Sequence, residues 1–79
     1  MTSEELLQLI KRALLIKNNV TMDDSVDTLK QWDSVGHLSI LVAIDKKSGG
    51  KASKIKKLTH CQTVRQLAKV LKENKLLKD

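Results

Sequence analysis

Near the C-terminal end of this chain, Val64, Leu67, Ala68 and Leu71 stand at positions i, i+3, i+4 and i+7. That spacing puts four apolar side chains on one face of an α-helix, with Thr63 before them as an N-cap. The same period recurs twice. From Thr2 to Lys17, Leu6, Leu9, Ile10, Ala13 and Leu14 share a face. Thr2 or Ser3 caps that segment, Glu4 and Glu5 sit where the helix dipole favours acids, and Lys11, Arg12 and Lys17 sit where it favours cations. Asn18 and Asn19 are expected to stop it. From Asp33-Ser34 to about Lys47, Val35, Leu38, Leu41, Val42 and Ala43 supply an inward stripe that Ile40 and Ile44 widen, so the helix is expected to be nearly surrounded. Gly49-Gly50 end it. The chain holds no Pro, Phe or Tyr, and Trp32 is its one aromatic residue. A sandwich or barrel without aromatics or turn residues would be unusual. The expected fold is all-α: a small four-helix bundle of three main helices plus one short helix.

The two connections differ in chemistry. Val20 to Asp33 is rich in Asp, Ser and Thr, whose side chains compete for backbone hydrogen bonds and favour turns and caps. Val20, Met22, Val26, Leu29 and Trp32 are its apolar anchors, with one helical turn expected near Val26–Leu29. Connections this long are often functional. Lys51 to His60 is basic, and Ser53 is a candidate cap for a short turn carrying Ile55 and Leu58. The last helix is expected to fray through Glu73–Asp79.

At 79 residues the chain is read as one domain, residues 1–79, burying only about 60–65% of its unfolded surface. That excludes a large multi-domain enzyme and leaves little room for a catalytic pocket. Cys61 is the single cysteine, so no internal disulfide forms and a multi-thiolate zinc site is excluded. No apolar run reaches the roughly 18 residues that span a bilayer. The N-terminal residues Met1-Thr2-Ser3-Glu4-Glu5 lack the basic start of a secretory signal. A cytoplasmic monomer is expected. The net charge of +6 is uneven. Residues 1–45 carry four bases against seven acids, and residues 46–79 carry eleven against two. Such asymmetry suits a nucleic-acid or acidic-partner surface, or simply lysines solvating outer helix faces.

Three constellations could carry chemistry. Asp33, Ser34 and His37 form a superficial Ser-His-Asp set, but no glycine-rich elbow surrounds Ser34 and the chain has little pocket volume, which argues against hydrolysis. His60-Cys61 are adjacent residues and chelate poorly, so no metal is expected. Ser34 itself is the third. A hydroxyl in a helix's first turn lies beside free N–H groups and the positive dipole end, a favourable place for an attached phosphodiester.

The stretch Trp32-Asp33-Ser34-Val35-Gly36-His37-Leu38, followed by Ser39-Ile40-Leu41-Val42-Ala43-Ile44-Asp45, resembles the acyl carrier protein family. The resemblance extends over roughly Glu4 to Lys72: a first amphipathic helix, an Asp-rich loop ending at the motif, and Leu58-Thr59 leading to Thr63-Val64. It implies that Ser34 is where a phosphopantetheinyl transferase attaches 4′-phosphopantetheine from coenzyme A. It implies that Asp33 orients the transferase's Mg²⁺ and phosphates, and that the carrier catalyses nothing itself. Val26, Leu29, Val35, Leu38 and Val42 become candidates for the mouth of an acyl pocket. Partners are then the transferase and the enzymes that load and transfer acyl or aminoacyl groups, without nucleic acid or a membrane span. Fatty-acid and polyketide carriers usually present an acidic second helix to basic partners. Here Asp45 is followed by Lys46 and Lys47, Ser48 replaces a frequent aromatic, and Leu58–Thr63 carries a few extra residues. These departures point to a specialised lipid or secondary-metabolite pathway. An aminoacyl or peptidyl carrier, and an unmodified basic interaction or nucleic-acid-binding module, are the alternatives.

Overall fold

The computed structural model describes residues 1–78. It contains three α-helices, α1 (Ser3–Ala13), α2 (Ser34–Lys47) and α3 (Val64–Glu73), and two 3₁₀ helices, Ala52–Lys54 and Lys56–His60, between the last two. Among the described residues there is no strand, only one antiparallel bridge between Ser25 and Thr63. The all-α expectation therefore holds, with two 3₁₀ segments where one short helix was expected. Ser53 does not cap them: its Oγ donates to the Gly50 carbonyl (3.0 Å).

Each α-helix starts on a side-chain cap. Thr2 Oγ1 accepts from the Glu5 amide (3.2 Å) while Glu5 Oε1 accepts from the Thr2 amide (2.9 Å), a reciprocal capping box. Asp33 caps α2, and Thr63 caps α3 by accepting from the Gln66 amide (3.0 Å). The expected start points are all observed. The first end point is not. α1 stops at Ala13, four residues before Lys17, because Leu15 turns into the left-handed region at φ 57°. The Ile16 amide then reaches back to the Lys11 carbonyl (2.9 Å), closing the helix before Asn18.

The core draws Leu6, Ile10 and Leu14 from α1, Ile40 and Ile44 from α2, and Val64, Leu67, Ala68, Val70 and Leu71 from α3. Leu58, Ala52 and Cys61 from the connection, with Val20 and Trp32, close it. α2 differs from its expected packing. Gly36, Ile40 and Ile44 face inward, whereas Val35 and Leu38 are 73% and 61% exposed and Val42 is 46% exposed. The helix is apolar on two sides but buried on one. Gly36 is what lets α2 approach: a Cβ there would overlap the Gln31 carbonyl oxygen and lie 2.8 Å from Leu14 Cδ2.

The Asp-rich connection is an ordered loop. Asp24 Oδ2 accepts from the Thr21 amide (2.8 Å), Asp24 Oδ1 from Thr28 Oγ1 (2.8 Å), and Thr28 Oγ1 from the Ser25 amide (2.8 Å). One helical turn forms where it was expected, the Leu29 amide donating to the Ser25 carbonyl (3.0 Å), and these side-chain contacts brace it. The backbone fastens to the start of α3 through Val26 N–H to the Gln62 carbonyl and Val64 N–H to the Asp24 carbonyl, both 3.0 Å. After α3 the chain does not fray. Leu77 is buried, and the Lys78 amide donates to the Met1 carbonyl (2.9 Å). The end of the expected fraying segment, Asp79, lies outside the described residues.

Candidate functional site

The site is built at the junction of the Asp-rich loop and α2. Asp33 leaves the helix in extended backbone at φ −100°, ψ −166°, and its Oδ1 accepts from the Gly36 amide (2.8 Å). Ser34 is the first residue inside the helix and is exposed. A helix's first-turn N–H groups have no intrahelical carbonyl to meet. Asp33 satisfies Gly36 by side chain and His37 by its own carbonyl (2.8 Å). The Ser34 hydroxyl thus sits at the positive end of the α2 dipole.

Beside it, Trp32 and His37 form the wall. Trp32 is 3% exposed, and its Nε1 donates to His37 Nδ1 (3.0 Å) with the rings stacked at a 6.0 Å centroid distance. Because Nδ1 accepts, the ring proton belongs at Nε2, which donates to the Leu58 carbonyl (2.9 Å). Both ring nitrogens are spent on locking α2 to the loop and to the second 3₁₀ helix. His37 is a structural cross-link, and neither it nor Asp33 engages the Ser34 hydroxyl as a base. His60 and Cys61 diverge: His60 is exposed, while Cys61 is buried with Sγ donating to the Lys57 carbonyl (3.4 Å). Burial raises the Cys61 thiol pKa above its ordinary value, which keeps it an unreactive thiol. Among the described residues, no group of three or more His, Cys, Asp or Glu side chains could hold a metal ion.

Hollows flank α2 on several sides, one of about 700 Å³ lying against Leu9, Arg12 and Ala13 of α1. A shallow groove of about 740 Å³ opens at Ser34, lined by Val26, Asp33, His37, His60 and Gln62 among others. A smaller cleft of about 340 Å³ lies between α2 and the 3₁₀ segments, with Leu41, Val42, Ala52, Ile55 and Leu58 as its apolar walls. Of the residues expected at a pocket mouth, Val26 lines the groove and Val42 the cleft. Leu29 is half-buried against the core, and Val35 and Leu38 stand outward. The cleft residues the sequence reading missed are Leu41, Ile55 and Leu58. Leu41 falls in the stripe expected to face the core, and Ile55 and Leu58 fall on the short turn expected in the lysine-rich segment, whose packing against α2 has no local signal.

No helix among the described residues is long and apolar enough to cross a membrane. No protein-family model, no curated protein and no solved structure matches the chain.

Proposed function

We propose that this chain is an acyl carrier protein, holding an acyl group as a thioester on 4′-phosphopantetheine attached to Ser34 and delivering it to partner enzymes of a specialised lipid or secondary-metabolite pathway. The observation that carries the reading is the setting of Ser34. It is an exposed hydroxyl at the first position of an α-helix, directly after a capping carboxylate, within Trp32-Asp33-Ser34-Val35-Gly36-His37-Leu38. Exposure admits a modifying enzyme, and the dipole end favours the phosphodiester it would leave. Three α-helices with a short helical connection before the last also agree with an acyl-carrier-like four-helix bundle, the 3₁₀ pair taking the fourth place.

The residues fit the group. In the transfer, the Ser34 hydroxyl would give its proton to a base of the transferase as Oγ bonds to the β-phosphorus of coenzyme A. The pyrophosphate link breaks, and the nucleoside bisphosphate leaves. Asp33 uses Oδ1 for the cap, which leaves Oδ2 as its atom for the transferase-bound Mg²⁺. Phosphopantetheine supplies a thiol on a flexible arm. The chain's own part is to present that arm and to offer the cleft beside Val42 as an apolar refuge for an aliphatic cargo, whose contacts with Leu41, Ile55 and Leu58 would resemble those of a core side chain.

Intact-mass measurement after incubation with coenzyme A, Mg²⁺ and a promiscuous phosphopantetheinyl transferase tests the reading. The expected result is a gain of one phosphopantetheine that Ser34→Ala abolishes. A gain that survives in Ser34→Ala would refute the assignment of the site.

A further inference from the structure

Lys54, Lys56, Lys57 and Lys69 gather on a face of the 3₁₀ segments and α3 whose charge has no part in the carrier reading. Two grooves meet there and share Lys57. One, of about 540 Å³, is lined by Lys54, Ile55, Lys56 and Lys57 with Glu73 and Asn74 of α3. The other, of about 210 Å³, is lined by Lys57, His60, Cys61, Gln66, Lys69 and Val70. Lys54, Lys56, Lys57 and Lys69 are all exposed, and none is in an ion pair among the described residues; the two pairs formed are Lys47–Glu5 and Arg65–Asp23. Three of these ammonium groups share a groove with one carboxylate, Glu73, and Lys57 and Lys69 share one with none. Half-buried Ile55 puts apolar surface among them, over the buried Val70.

We infer that this face is a docking surface for an acidic protein segment in which carboxylates alternate with aliphatic side chains. Charge complementarity sets the sign of the partner. Half-buried Ile55 sets its texture, since an aliphatic side chain gains from an apolar floor and a phosphate does not. Nucleic-acid surfaces of this size read single strands with aromatic platforms and clamp phosphates with arginine forks. This face has neither: Trp32 is buried on the other side of His37, and Arg65 is occupied by Asp23 (2.6 Å). A bilayer would need apolar anchors beside the lysines. The outward apolar residues Leu15, Val35, Leu38 and Val42 belong instead to α2 and the end of α1. The inference does not rest on Ser34 being modified, although Ile55, Lys56 and His60 of this face also line the hollows that the carrier reading uses.

The test uses the unmodified full chain and three probes: a labelled amphipathic peptide with Glu repeats and Leu at every third or fourth position, a short DNA duplex, and phosphatidylglycerol vesicles. At about 150 mM salt, where surface charge is substantially screened, the peptide is expected to bind most tightly. Lys57→Glu with Lys69→Glu should weaken it by about tenfold or more, the scale of two lost charge contacts. Lys17→Glu with Lys30→Glu makes the same change in net charge away from the face and should change it by no more than about twofold, as rim charges remote from a contact do. Ile55→Ser should weaken the peptide alone. Tighter binding of DNA or vesicles, or equal losses from the two charge reversals, would overturn the proposal.

Discussion

Asp33 meets the helix through Oδ1 alone, and asparagine caps a helix as well as aspartate does. Asp33→Asn is thus expected to shift the unfolding free energy by only a few tenths of a kcal/mol, roughly the spread among good caps. If Asp33 meets the transferase's Mg²⁺ as proposed, the same change should slow modification of Ser34 by about tenfold or more, since it removes that charge. Denaturant melts and a modification time course check both halves, and an unchanged rate would reduce Asp33 to a cap. Gly36 is constrained by its neighbours rather than by φ. Gly36→Ala should cost about 2 kcal/mol, the usual scale of overpacking, and lower Tm by about 10 °C in thermal circular dichroism. Glu5 has its carboxyl lowered from the ordinary 4.5 to about 2, first by the Thr2 amide and then by Lys47, 3.1 Å away. A depressed folded-state pKa adds stability that is complete above pH 4.5 and is lost as pH falls from 4.5 toward about 2. Glu5→Gln should flatten that segment of the pH–stability curve, measured by urea midpoints. At this scale Asp33, Ser34 and the caps were legible because their chemistry is local. The role of His37 was not, because its partner is a carbonyl 21 residues away.

The three helices end in one way. After α1, α2 and α3, Leu15 (φ 57°), Gly49 (φ 70°) and Lys75 (φ 61°) enter the left-handed region. In each case the next amide returns to a carbonyl five residues back: Ile16 to Lys11 (2.9 Å), Gly50 to Asp45 (2.8 Å), Leu76 to Leu71 (2.9 Å). Only the glycine end can be read from sequence, which explains why α1 was expected to run on to Lys17. Leu15 is 85% exposed, so little packing is lost with its side chain. Leu15→Gly is expected to raise stability by up to about 1 kcal/mol by relieving the left-handed backbone, partly offset by the entropy of glycine in the unfolded chain. A lower urea midpoint would show that the Leu15 side chain stabilises the fold by another route. α2 was harder to orient. Val35, Leu38 and Val42 make as good a helical stripe as Gly36, Ile40 and Ile44, and a stripe that begins with glycine does not register as apolar. The outward Val35–Leu38–Val42 stripe begins one residue after Ser34, where any enzyme acting on that residue must approach.

For the whole molecule, the all-α class followed from periodicity and from the absence of aromatics and proline, and the structure agrees. What sequence could not supply is which distant segments meet. The bridge of Ser25 with Thr63, the pairing of Lys78 with Met1 and the cleft between α2 and the 3₁₀ segments all join residues with no local pattern in common. The molecule that results sets its surfaces side by side: the groove at Ser34 and the lysine face of the 3₁₀ segments and α3 share His60 and Cys61. The central claim is that Ser34 carries phosphopantetheine when the protein works. The most direct measurement is the mass of the chain isolated from the cells that make it, with fragment ions to locate any added group. The account predicts a population bearing phosphopantetheine, free or acylated, on Ser34. A chain found unmodified throughout, in cells whose transferase labels it in vitro, would contradict the carrier function.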